Sequence, residues 1–424
     1  MTSTGRSSSG TYAPQHDAWL TELCAAWGRR QAWVLERQIA CARIAAPTGN
    51  EGTRAAHVQQ ALAAPPSLAA TRDRSGNVCA VIRPDASTPV FAEATPIVCL
   101  AHLDTVYADD VSTSDAAIQA TRDGSRVHCP GIGDNGRGLA ALEVLAHVLH
   151  TPQARARLRR PVHLVATVGE EGEGNLLGSR TWFDDAAARG IRPCAAIAID
   201  GPGDESIVHH AIGSMRLRVA MHGAGGHPWV HAGAPNPIHA LGTFIGLAQG
   251  LGDGARRQRS VTVTRMSGGE SLTGIPHAAW VDLDVRSPSA VTLERLTQEL
   301  ERAAHAVAHD ASSHDLSRAL SVQITPLGER PAGSLDAAAP LVQAALAATY
   351  AVGRTPRSAS ASTDANVPLA RGIPAVAIGA GGTGGGAHTR EEWYDDARSS
   401  AGLERVLRLV LGVAMADAPP IASR

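Results

Sequence analysis

Short apolar runs in this chain repeatedly end on residues that can bind a metal ion or carry a proton. Residues 95–100, with Pro96, Ile97, Val98, Cys99 and Leu100, pass into Ala101-His102-Leu103-Asp104. Residues 162–168 lead through Gly169 to Glu170 and Glu171, and residues 195–199 end at Asp200. Each run has the length and content of a buried strand. Helical spacing of apolar residues fills 139–149 and 181–189 between them. Strand, loop, helix and strand in that order predict a largely parallel sheet. Such a sheet gathers its functional groups beyond the carboxyl ends of its strands. Two glycine-rich loops join the pattern. Residues 131–138 carry Asp134, and residues 381–386, after a short strand at 374–379, precede His388.

At roughly 150 residues per domain, 424 residues make two or three domains. The hydrophobic fraction of 44% against 18% charged supports a buried core and excludes a disordered tail. Only 3% of residues are aromatic, so the core must be Ala, Val, Leu and Ile, which suits strands covered by small-residue helices. The 38 basic and 40 acidic residues leave a net charge of -2, which removes the electrostatic reason to expect nucleic acid or an anionic membrane as partner. No run approaches the roughly 18 apolar residues of a membrane span. The 6 cysteines (Cys24, Cys41, Cys79, Cys99, Cys129 and Cys194) form no C-x-x-C pair. They read as free thiols in a reducing cytoplasm, the expected location. Residues 1–13 open on Ser, Thr and Gly without the apolar stretch of a secretion signal, and a disordered leader is expected there.

After Gly201 the texture changes. Met215, Arg216, Leu217, Arg218 and Val219 alternate with the period of a half-buried strand, read here as an exposed edge able to pair across a two-fold axis. Strand-like runs recur at 260–264, 279–285 and 320–324, and helices at 237–246 and 292–308. The first texture returns with helices at 338–349 and 403–415. The expected fold is α/β: a mostly parallel sheet with helices on both faces, interrupted by an inserted α+β domain with a four-stranded antiparallel sheet and two helices. The expected bounds are 14–208 and 328–424 for the first domain and 209–327 for the insertion.

Two imidazoles and several carboxylates with no thiolate form a nitrogen and oxygen ligand set suited to zinc, cobalt or manganese. The set fits two divalent ions about 3.5–4 Å apart better than one. Asp134 can bridge them. His102, Glu171, Asp200 and His388 then supply terminal ligands, and the residues alone leave open which two share an ion. Asp104 follows His102 by two positions and can orient its second ring nitrogen. Glu170 and Glu171 cannot easily point at the same ion, so Glu170 is the candidate general base.

These motifs resemble the dinuclear zinc metallopeptidases related to peptidase T, carboxypeptidase G and the aminoacylases. The matching segments are Pro47-Thr48-Gly49-Asn50-Glu51, Ala101-His102-Leu103-Asp104-Thr105-Val106, residues 131–136, Gly169-Glu170-Glu171, Ile199-Asp200-Gly201, Gly225-Gly226-His227-Pro228, Thr363-Asp364-Ala365-Asn366 and Ala387-His388-Thr389. They run in order from about residue 45 to 390. The resemblance implies that His102 and Asp200 hold one zinc, that Glu171 and His388 hold the other, and that Asp134 bridges with a cis bond to Asn135. It implies Glu170 as general base and Asp104 as the orienter of His102. It also implies a catalytic domain, a lid formed by the insertion, and a homodimer through that lid. His227 would reach the partner's active site and steady the oxyanion, and Arg286 would grip a substrate carboxylate. Thr273, in Ser271-Leu272-Thr273-Gly274, stands where related sequences often have asparagine. Together with Asn366 it marks the specificity region.

The activity implied is hydrolysis of an amide bond in a short peptide with a free carboxylate. The alternatives are an N-acyl or N-carbamoyl amino acid amidohydrolase on the same scaffold, and an inactive metal-binding dimer.

Overall fold

The computed structural model describes residues 17–88, 95–107, 118–252, 254, 258–312 and 316–417. The expected leader lies outside the described residues. The chain divides into two compact units, one of residues up to His209 together with Leu335 onward, the other His210–Ser334.

The first unit begins with α1 (Ala18–Gly28), α2 (Gln31–Ala42) and α3 (Gly52–Leu62). Asp17 starts α1 by accepting the N–H of Trp19 at 2.8 Å. There follow β1 (Ala70–Arg72), β2 (Val78–Ile82), β3 (Ile97–His102), β4 (Thr121–Asp123), β5 (Arg126–His128), α4 (Gly136–Leu149) and α5 (Pro152–Arg155). Next are β6 (Val162–Thr167), α6 (Leu177–Ala188), β7 (Ala195–Ile199) and β8 (Ser206–Ala211), the last of which crosses the boundary between units. The second unit contains β9 (Gly213–His222), α7 (Pro237–Gly250), β10 (Ser260–Gly268), β11 (Ala278–Ser287), α8 (Ala290–Ala311), β12 (Ser321–Arg330) and β13 (Gly333–Ser334). The chain then returns to the first unit through α9 (Pro340–Ala351), β14 (Arg357–Ala361), α10 (Asn366–Ala370), β15 (Ala375–Ile378), β16 (Thr383–Gly385), β17 (Trp393–Asp395) and α11 (Ser399–Met415).

The large sheet runs β1-β2-β6-β3-β7-β15-β8-β13, with β14 against β8. Its centre, β6-β3-β7-β15, is parallel, and its flanks are antiparallel. Side chains alternate across it. Ile97, Cys99 and Ala101 of β3 join the core with Leu142 and Leu145 of α4. On the other face His163 of β6 meets Trp182 of α6 edge-on. The parallel register aligns the ends of β3, β6 and β7, so His102, Glu170 with Glu171, and Asp200 leave the sheet along one border.

A smaller sheet, β16-β17-β5-β4, was not foreseen. Its strands are 3 residues each, too short for alternation to announce them. It explains part of the glycine run at 381–386. A Cβ on Gly382 would collide with the Tyr394 hydroxyl, so these glycines permit close backbone approach.

In the second unit the sheet order is β10-β11-β9-β12, all antiparallel. Val219, Met221, Val281 and Leu283 face a core completed by Phe244 of α7 and by Leu296 and Leu300 of α8. Asn236 caps α7 and Ser289 caps α8. One expectation is corrected here. Met215 to Val219 belongs to β9, which is paired on both sides, so it offers no free edge. The edges are β10 and β12. Alternation alone reports a half-buried face, not a place in the sheet order.

Candidate metal centre

His102 ends β3 with its Nδ1 3.0 Å from the backbone carbonyl of Asp104. With Nδ1–H donated there, the lone pair of Nε2 faces the acids. Nε2 lies 2.9 Å from Asp134 Oδ1 and 3.7 Å from Asp200 Oδ1. The other carboxylate oxygen of Asp134 is 3.2 Å from His388 Nε2, which is itself 2.9 Å from Glu171 Oε1. Two three-residue groups result, His102/Asp134/Asp200 and Asp134/Glu171/His388, with ligand atoms within 4.8 Å of one another. Asp134 belongs to both. Glu170 forms a third group with His102 and Glu171. The donors are imidazole nitrogens and carboxylate oxygens, a set that fits a pair of divalent cations.

Backbone groups aim these side chains. The Asp104 carboxylate is 3.6 Å from His102 Nδ1. Its shorter contacts run elsewhere: Oδ1 accepts the N–H of Glu170 and Oδ2 that of Glu171, both at 2.9 Å, and Thr48 donates its hydroxyl to Oδ2 at 2.8 Å. Asp104 therefore steadies the Glu170–Glu171 turn as well as His102. The bond from Asp134 to Asn135 is cis. The Asn135 amide donates to the Ile199 carbonyl and accepts the N–H of Gly138 and Gly201, tying the Asp134 loop to the strand that ends at Asp200. A Cβ on Gly138 would overlap that amide oxygen.

Glu392 is a residue the sequence reasoning missed. It is buried, and its carboxylate accepts the N–H groups of Gly131 at 2.5 Å and of Gly133 and Asp134 at 2.9 Å. It stands four positions after His388 on the segment joining β16 to β17, so one short segment carries a candidate ligand and holds the loop of another. Its only sequence signal is an acid near His388, which has no strand or helix period to mark it. Glu51 was also missed as a contact: it accepts the N–H of Gly169 at 3.1 Å.

The acids set the electrostatics. Burial pushes the His102 pKa down, yet its hydrogen bonds to Asp104, Asp134 and Asp200 hold it well above the usual histidine value. His388 is raised to about 10 by Asp134 and Glu171. Burial acts to raise Asp134, but the two histidines pull it far below the ordinary carboxylate range. Asp200 goes up, chiefly because it is buried. A field that holds protons this firmly on two imidazoles also favours a divalent cation in their place.

The remaining predicted residues lie elsewhere. Asn366 is buried in α10, where its side chain accepts the N–H of Thr363 and donates toward Ser362 at 3.4 Å; it braces the turn that carries Asp364. His227, Thr273 and Arg286 belong to the second unit. His227 is exposed, and its Nδ1 accepts the N–H groups of Trp229 and Val230, which leaves Nε2–H to donate outward. Thr273 is exposed beside Ser271. A bridge between Gly226 and Ile275 joins the His227 and Thr273 loops. Arg286 sits at the far end of β11 in a bidentate pair with Asp284 at 2.8 and 3.0 Å. Ala278, at the near end, is eight residues away, or about 27 Å along a strand. The sheet therefore separates Arg286 from the other two. Among the described residues no helix is long and apolar enough to cross a membrane.

The sequence pattern of the peptidase family M20/M25/M40 matches residues 98–412. No curated protein sequence matches the chain. Among solved structures, the aminopeptidase PepT from Bacillus cereus ATCC 10987 is similar with a TM-score of 0.71 at 18% identity, over 91% of this chain and 99% of that one. A tripeptidase from Staphylococcus aureus subsp. aureus Mu50 gives 0.72 at 18% identity, over 90% and 97%. The Bacillus subtilis YXEP protein, described as a dinuclear metal binding peptidase, gives 0.66 at 16% identity, over 91% and 99%.

Proposed function

This chain belongs to the peptidase family M20/M25/M40, and from that premise we propose that it hydrolyses the amide bond of a short peptide with a free carboxylate. The observation that carries the reading is Asp134, shared by two groups of candidate ligands. His102 and Asp200 would hold one divalent ion and Glu171 and His388 the other, with Asp134 between them. Zinc is the first choice, with cobalt or manganese as alternatives. Bound there, the ions polarise the scissile carbonyl and acidify a water molecule.

The chain's own residues supply the rest. Glu170 takes the proton of the attacking water and passes it to the leaving amine. Asp104 holds the backbone of Glu170 and Glu171, so the base cannot drift from its neighbour. His227 donates Nε2–H to the developing oxyanion, an interaction worth about 2.7–4 kcal/mol where such donors act. Arg286 exchanges Asp284 for the substrate carboxylate, and Thr273 helps set specificity.

The length of β11 shapes this reading. One copy of the chain cannot bring Arg286 and the His227–Thr273 loops to the same small substrate across about 27 Å. A homodimer resolves this, with Arg286 from one protomer and His227 with Thr273 from its partner. The exposed Trp229 and Leu272 flank those loops and supply apolar surface for a subunit contact.

The test combines metal content with turnover. Protein loaded with zinc, cobalt or manganese is analysed for ions per chain and offered dipeptides, tripeptides and N-acetyl, N-succinyl and N-carbamoyl amino acids. Two ions per chain, cleavage of a peptide, and a Glu170→Gln variant that keeps its metal while losing about 10²–10⁴-fold in rate are expected. Turnover confined to the acylated amino acids would replace the peptidase reading with an amidohydrolase. Fewer than one ion per chain would overturn the metal centre.

A further inference from the structure

A second cavity, of about 570 Å³, opens in the first unit on the face of the large sheet that α6 only partly covers. Its floor is Cys79 and Val81 of β2 and His163 of β6, all partly exposed, whereas Val78, Ala80 and Ile82 on the opposite face are buried. His163 lies at the start of β6, away from the strand ends that carry the metal cluster. The volume is that of a small-molecule site.

The charge around it is net positive, four arginines against Asp73 and Asp185. Arg83, Arg155 and Arg189 line the cavity. Arg155 Nε donates to the Arg83 backbone carbonyl at 3.1 Å, which brings two cationic side chains to the same end. Arg189 forms no ion pair among the described residues. The acids on the wall are engaged elsewhere. Asp185 pairs with Arg74 at 3.0 Å, and Asp73 accepts hydrogen bonds from Ser75 and Asn77. His163 is pushed down to about 4, first by burial and then by Arg83.

We propose that this cavity binds a small organic phosphate, its head held by Arg83 and Arg155 and its body lying along Val81 and Cys79 toward Arg189. A dianion with three oxygens can serve several guanidinium groups at once, where a monocarboxylate is satisfied by a single fork. From Arg83 to Cys79 is about 13 Å of strand, room for a ring and a short tail. The site is separate from the metal centre and does not depend on the reaction assigned to it.

The experiment is calorimetric titration of the full chain with phenyl phosphate, inorganic phosphate and phenylacetate, both metal-loaded and after chelation. Phenyl phosphate should bind one per chain in both states and more tightly than either of the others. Arg155→Ala and Arg189→Ala should each weaken it about tenfold or more, the worth of one charge-assisted hydrogen bond, with unchanged melting curves. Absence of saturable heat at millimolar ligand would overturn the proposal. So would binding that chelation abolishes and the arginine variants leave intact, because the anion would then sit on the metal. Phenylacetate binding as tightly as phenyl phosphate would overturn the assignment of a phosphate.

Discussion

Glu392→Gln should loosen the metal centre without touching a ligand. In the native protein Oε1 accepts the N–H groups of Gly133 and Asp134, and Oε2 accepts that of Gly131. The amide can keep its oxygen toward only one side. With that oxygen at the Oε1 position, its NH2 faces the N–H of Gly131, donor against donor. One charge-assisted hydrogen bond is lost and a buried N–H is left unsatisfied, together roughly 2–4 kcal/mol. That is tolerable against a stability of about 5–15 kcal/mol, so the variant should fold. The consequence falls on Asp134, whose own N–H is one of the three, and on the segment that also carries His388. Loss of such outer support typically costs about 10–100-fold in metal affinity.

The assay is titration with buffered zinc, reading ions per chain rather than turnover, with thermal unfolding in chelator alongside. Glu391→Gln, at the exposed neighbouring position, is the control and should match the native protein in both. A Glu392→Gln protein that binds metal with native affinity and melts at the native temperature would refute the reasoning, since three N–H bonds to a buried carboxylate would then do nothing for the loop they end on.

The two-copy site predicts complementation. Arg286→Ala and His227→Ala proteins, each inactive, should regain about a quarter of native activity when their subunits are mixed, because half the dimers are hybrids and each hybrid rebuilds one of two sites; no recovery after verified subunit exchange would refute shared sites. His163 predicts an acid limb in the stability of the chelated protein. Its pKa is pushed down to about 4 in the folded chain from the ordinary 6.5, so between those pH values the unfolded chain binds a proton that the folded chain refuses, and stability falls as pH drops through that window by at most roughly 3 kcal/mol. His163→Phe keeps a ring against Trp182 and should flatten this limb when urea midpoints are compared from pH 7 to 4; an unchanged slope would show that His163 is not its source.

The donors of the candidate centre were legible because each follows an apolar run or a glycine-rich loop. His102, Glu170, Glu171 and Asp200 needed only the rule that parallel strands end together. His388 is different in kind. It reaches Asp134 through β16 and β17, Thr-Gly-Gly and Trp-Tyr-Asp, strands of three residues that are too short to carry a period. Glu392 is less legible still, because what it binds is backbone. Three N–H groups converge on it, and backbone N–H groups are the same at every position of a sequence except proline. The same holds for the carbonyl of Asp104 that sets the His102 tautomer, and for the N–H groups of Glu170 and Glu171 on the Asp104 carboxylate. The place of β9 in the second sheet was misjudged for a related reason. Alternating Met215 to Val219 shows that one face is dry, but whether the strand has one neighbour or two is decided by hydrogen bonds its side chains do not record. Chemistry was visible in this chain where side chains carry it, and hidden where the main chain does the aiming. Variants of Glu392 and Asn135 should therefore disturb the centre as surely as variants of the ligands, while leaving every predicted ligand in place.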